Sequence, residues 1–139
     1  MTWWMFALLS AVAAAATAIL AKIGIEHIPS NLATAIRTTV ILVFACGIVA
    51  MRGEYKALPQ IHTRSWIFLG LSGIATGISW LAYFRALQMA PVNKVVPIDK
   101  LSLIFTIALA ALVLGESISW KVAVGALLIV AGTLLTTFG

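Results

Sequence analysis

The chain has 139 residues, of which 63% are hydrophobic and 9% charged, with a formal net charge of +5; an ordinary soluble domain is about 25% charged, and no soluble fold has an interior large enough to hide so much apolar surface. A bilayer core roughly 30 Å thick takes about 20 mostly apolar residues per helix, so this length supplies about five spans and leaves no room for a soluble catalytic lobe or a long linker. The basic residues do not point to nucleic acid, because they are scattered between apolar runs rather than gathered on a stripe with aromatic readers; loop charges that set orientation and meet anionic headgroups have this distribution.

The first apolar run covers 3–21 and closes with Lys22. Its alanine-rich stretch resembles the small-residue end of a signal peptide, but no Lys or Arg precedes it, and a retained first helix is expected. Residues 23–31 make a short connection carrying Glu26, His27 and Pro29, with Ser30 or Asn31 placed to cap the next helix. The second run, 32–51, has a single charged member, Arg37. Residues 52–65 are the most polar segment and read as the longest loop. A third run at 66–90 and a fourth at 92–114 are separated by a tight turn at Pro91. Gly115, Glu116, Ser117 and Ser119 then lead into a fifth run at 120–138. The expected fold is therefore one all-α transmembrane domain over 1–139, a bundle of five spanning helices. Cys46 is the only cysteine, which excludes an intramolecular disulfide; mid-way along an apolar run, it reads as a small packing residue.

An odd number of crossings puts the two termini on opposite sides, here side A for the N-terminus and side B for the other. Side A loops hold Arg52, Lys56, Arg64 and Lys121, side B loops Lys22 and Lys94, a count that makes side A cytoplasmic. Arg37, Arg85 and Lys100 lie within about 10 Å of the side B ends of their helices, inside snorkelling reach. Counting them makes side B the richer, so the bias is weak and permits insertion in both directions. Trp3, Trp4, Trp66 and Trp120 fall at side A helix ends and read as interfacial anchors. Trp80, roughly 21 Å along the third helix, is a candidate for lining a cavity, against the ordinary alternatives of packing or facing lipid.

Gly70, Gly73 and Gly77 share one face of the third helix, and Gly125 and Gly132 one face of the fifth; both faces suit helix packing or a dimer interface. A polar layer toward side B comprises Arg37, Arg85, Asp99 and Lys100, with Thr38, Ser79, Tyr83 and Ser102 at neighbouring depths. A charge at a helix centre costs roughly 2.5 to 3.5 kcal/mol on insertion scales, so this layer is either a hydrated, substrate-facing surface or a structural ion-pair cluster. Asp99 is too short to snorkel and is expected to pair with an Arg of a neighbouring helix, since Lys100, next to it in sequence, points elsewhere. Pro97, two residues earlier, is expected to kink the fourth helix or to begin its regular part. His27 and His62 lack the spacing of a metal site. No nucleophile triad, P-loop or dinucleotide fingerprint is present, so neither an enzyme nor a cofactor is expected.

The strings NLATAIRT at 31–38, YFRALQ at 83–88, PIDKLS at 97–102 and LGE at 114–116, in this order and spacing, resemble an EamA domain of the drug/metabolite transporter superfamily over essentially the whole chain. The resemblance implies one half of a ten-helix inverted-repeat transporter, completed by a second copy in an antiparallel homodimer or by an inverted partner chain. The balanced Lys and Arg count agrees with that plan. The Gly125 to Gly132 spacing also resembles the dimerisation helix of small multidrug resistance transporters. Those proteins carry an essential acidic residue in their first span, whereas 3–21 has none here and Asp99 is the only acidic residue inside a helix. The expected function is export of a small metabolite or drug across a bacterial or archaeal inner membrane by alternating access. Arg37, Arg85 and Asp99 would exchange as gate pairs, with Trp80, Tyr83, Lys100 and Ser102 along the substrate path. The rivals are a flippase for a lipid-linked sugar and a non-transporting assembly subunit.

Overall fold

A computed structural model describes residues 2–139. It is all-helical among them: α1 (Trp3–Gly24), α2 (Ser30–Arg52), a 3₁₀ helix (Glu54–Gln60), α3 (Thr63–Met89), α4 (Val92–Asp99), α5 (Ser102–Leu109), a π-helical turn (Ala110–Leu114) and α6 (Trp120–Phe138). Taking α4, α5 and the π turn as a single passage, the chain has five segments long and apolar enough to cross a bilayer. No more than 11% of any of these segments is buried within the chain. Surface of that kind is stable only against lipid or another apolar surface, so this is a multi-pass membrane protein.

The chain packs as two units, one formed by the residues up to Ile19 together with Met89–Gly139, the other by Leu20–Gln88. In the Leu20–Gln88 unit the core is Ile25, Ala33, Phe84 and Leu87, with Leu87 wholly buried. Around it, polar side chains serve helix-end carbonyls that have no intrahelical partner. Lys22 Nζ donates to the carbonyl of Leu87. Gln88 Nε2 donates to the carbonyls of Ile25 at 3.2 Å and Ile28 at 2.7 Å, which holds the end of α3 level with the start of α2. Ser30 and Asn31 do not cap α2 as expected: the helix already includes both, and Pro29 precedes it without a side-chain cap. The fixed φ of Pro29 (−57°) sets the entry, and its carbonyl accepts from Ala33 N–H at 3.0 Å. At the other end of α2, Gly53 takes a φ of +68° that only glycine adopts without strain, and its N–H closes on the carbonyl of Ala50 at 3.2 Å. The segment expected as a long loop is therefore largely helical, wound into a 3₁₀ helix straight after that turn, with Arg52 and Glu54 paired at 3.7 Å in an exposed position.

In the other unit α4 packs against α6, burying Val95 and Thr133. Thr133 Oγ1 donates to the carbonyl of Pro97 at 3.2 Å. Four residues on, Thr137 Oγ1 is the one buried side-chain oxygen without a hydrogen bond among the described residues; the Thr133 carbonyl one turn back, its ordinary local acceptor, already takes the Thr136 hydroxyl at 3.0 Å. Ser119 caps α6 by accepting from Val122 N–H at 3.3 Å.

Gln88→Leu is expected to lower thermal stability in detergent by about 1–3 kcal/mol, because two carbonyls lose their donor. The isosteric Gln88→Glu should do no better, having no N–H to offer. Unfolding curves indistinguishable from wild type would show that these bonds do not hold the end of α3.

Candidate functional site

The fourth passage is broken near its middle. Pro97 lies inside α4, yet the helix does not break there; it gives way at Lys100 and Leu101, three and four residues further on. Lys100 N–H is shared between the carbonyls of Val96 at 3.2 Å and Pro97 at 3.1 Å, and beyond it the N–H groups reach back three residues instead of four: Leu101 to Ile98 at 3.0 Å, Leu103 to Lys100 at 3.1 Å and Ile104 to Leu101 at 3.0 Å. This 3₁₀ tightening frees the Pro97 carbonyl from its usual α-helical donor, Leu101 N–H, and the Thr133 hydroxyl takes a share of it. Pro97 thus does not begin the helix; it lies within α4, about one turn ahead of the break.

The break changes where Asp99 and Lys100 point. Asp99 was expected to seek an arginine and Lys100 to face away, as neighbours on a regular helix do. Instead Lys100 Nζ lies 3.6 Å from Asp99 Oδ2, where α4 ends at Asp99 and the Lys100 backbone (φ −69°, ψ −12°) tightens toward 3₁₀ geometry. Next to this pair lies an open-sided cavity of about 510 Å³ lined by Lys100, Ser102, Leu103, Thr106 and Ile129. Ser102 to Thr106 bracket the centre of the Val92–Leu114 passage and Ile129 is the central residue of α6, so the cavity lies near mid-bilayer. Lys100 and Ser102 are brought together as site candidates. Thr106, Thr133 and Ile129 escaped sequence reasoning, since a Thr within an apolar run satisfies itself locally as often as it faces a cavity; Thr106 does so here, donating to the Ser102 carbonyl at 2.8 Å.

The Leu20–Gln88 unit gathers the other candidates. Arg37 lies with its guanidinium carbon 4.1 Å from the ring centroid of Trp80 and 5.3 Å from that of Phe84. Tyr83 and Phe84 are tilted neighbours with centroids 6.1 Å apart. Arg85 Nη1 reaches Gln88 Oε1 at 3.4 Å. Thr38, expected in this layer, donates to the carbonyl of Thr34 at 2.8 Å within its own helix. The Arg37–Trp80 contact pairs residues that the sequence had placed separately, one as a gate and one as a lining; the signal was their similar distance from side B. A Cβ added at Gly70, Gly73, Gly77, Gly125 or Gly132 would meet nothing within 4 Å. These glycines are therefore not required for close approach within the chain.

A double-mutant cycle of Arg37→Gln and Trp80→Leu is expected to give a coupling of about 0.5–2 kcal/mol in thermal unfolding. Strict additivity would mean that the contact contributes nothing to stability.

Residues 1–138 match the model of the EamA-like transporter family. A protein of Sinorhizobium sp. described as an uncharacterized transporter in the cobO 3′ region is 47% identical over 134 residues, spanning 96% of this chain and 95% of its own. A probable 4-amino-4-deoxy-L-arabinose-phosphoundecaprenol flippase subunit, ArnE, of Enterobacter sp. (strain 638) is 32% identical over 100 residues, 69% of this chain and 92% of that one. No solved structure matches.

Proposed function

Because the chain belongs to the EamA-like transporter family, we propose that the cavity beside the broken fourth passage forms part of a route for a small molecule across the membrane. Two copies inserted in opposite directions, or one copy and an inverted partner chain, would complete the route and export substrate by alternating access. The observation that carries this reading is the coincidence, near mid-bilayer, of interrupted helix and polar lining. Irregular backbone at that depth is tolerated where it is buried in protein or lines a hydrated space, and Lys100, Ser102 and Thr106 give this space its polar side. In this reading the Asp99–Lys100 pair, with both side chains partly exposed, would open toward a charged substrate and close again after its passage. The uncovered faces at Gly70, Gly73 and Gly77 and at Gly125 and Gly132 are suited to the close helix approach that a partner copy would make.

A second reading has one specific observation in its favour, the similarity to a probable flippase subunit. A flippase needs a route open sideways to lipid, and here Leu103 and Ile129 line the same cavity as Lys100. That combination suits a headgroup that carries an acyl or prenyl chain. Flipping of a fluorescent polyprenyl-phosphate sugar in proteoliposomes, read by quenching of the outer leaflet, separates the two. A rate equal to that of empty liposomes removes the flippase reading and leaves the small-molecule route.

In a Cys46→Ala background, a membrane-impermeant thiol reagent is expected to label Ser102→Cys much faster than Ala108→Cys, which lies on the far side of the same helix. Equal labelling would mean that no hydrated route exists at this cavity. Reporter fusions at both termini should show mixed orientation for a self-paired antiparallel assembly, and one fixed orientation would exclude it.

A further inference from the structure

Arg37 lies inside a span of its unit without an acidic partner among the described residues. The acidic residues of Leu20–Gln88 are Glu26 and Glu54, the first in the connection after α1 and the second beside Arg52 past the far end of α2. Neither lies within ion-pair distance of Arg37. Nor does the side chain escape to the interface. Arg37 stands about 10 Å from the start of α2 and Trp80 about 13 Å from the end of α3, ends that the Gln88–Ile28 hydrogen bond holds level. Side chains lean toward the N-terminus of their helix, which tips Trp80 deeper still. A guanidinium carbon 4.1 Å from that ring and 5.3 Å from Phe84, one turn nearer side B, is therefore held across to α3 rather than turned out toward side B.

The guanidinium stands with its central carbon over both rings, 4.1 Å from the Trp80 centroid and 5.3 Å from that of Phe84. Its N–H groups radiate from the edge in a planar fork that matches a carboxylate or phosphate, and two aromatic faces hold that fork in place before any ligand arrives. Aromatic contacts return only part of what it costs to keep a charge within a span. A bound anion can offset the remainder.

We infer that Arg37, laid across Trp80 and Phe84, is the docking point for one anionic group, a carboxylate or a phosphate, carried either by the transported molecule or by a membrane lipid. The first source rests on the transport reading above; the second does not.

Thermal unfolding of the purified protein tests it at constant ionic strength, with benzoate, its uncharged analogue benzamide and inorganic phosphate as soluble probes. Nanodiscs with and without phosphatidylglycerol form the lipid arm. Saturable stabilisation by benzoate or phosphate but not benzamide assigns the site to a soluble anion, and stabilisation by phosphatidylglycerol alone assigns it to lipid. In either case the apparent Kd should weaken at least about tenfold in Arg37→Gln and stay unchanged in Arg52→Gln. Arg37→Lys, which keeps the charge but loses the fork, should fall between and covers the case in which Arg37→Gln does not fold. No saturable response to any probe, or equal responses in wild type and both Arg37 variants, overturns the inference. Anion binding that persists in a protein without transport activity would defeat the transport reading and leave this one standing.

Discussion

Lipid has no hydrogen bonds to give, and the structure follows from that single lack. Every N–H, carbonyl and ionised group within a passage must be met by the chain itself, by a partner or by enclosed water. Most are met locally: Thr34, Thr38, Thr39, Thr76, Thr106 and Thr136 each return a hydroxyl to the carbonyl four residues earlier. The instructive groups are those that cannot be served locally. Lys22 and Gln88 are used on orphaned carbonyls at helix ends, Thr133 on the Pro97 carbonyl, and Arg37 on two aromatic faces. These are the points at which separate helices hold one another, and the two candidate sites grow out of them.

Much of this was legible from composition and run length. Five apolar runs in 139 residues leave little choice of class, and the structure is all-helical with five apolar passages; Gly115 in the LGE string is left-handed. The strings at 31–38, 83–88, 97–102 and 114–116 carried the family correctly. Side-chain direction was harder to read. The pattern that kept Lys100 away from Asp99 assumed an unbroken helix, and the assumption fails where hydrogen bonds shorten to three residues. Pro97 signalled a disturbance but not its place, and the Thr133 hydroxyl that meets its carbonyl comes from α6, which no local pattern links to it. For Arg37, snorkelling distance alone could not tell an outward turn from one across to the neighbouring helix, where its guanidinium meets the Trp80 and Phe84 rings.

The same reasoning explains why the glycine faces were easier to find than to interpret. Spacing shows which residues share a side of a helix, but what approaches that side is a property of the assembly. Here the space beside each of those glycines is open within the chain.

The interruption at Lys100 and Leu101 also has a mechanical meaning. It divides one membrane passage into two short rods that are fastened unequally. α4 is clamped to α6 by the Thr133 hydroxyl and the buried Val95, whereas α5 has no buried residue and no side-chain bond to another helix among the described residues. A sideways load on the passage would swing the α5 rod about a fulcrum near mid-bilayer while α4 kept its seat, so a displacement on one leaflet need not be transmitted to the other.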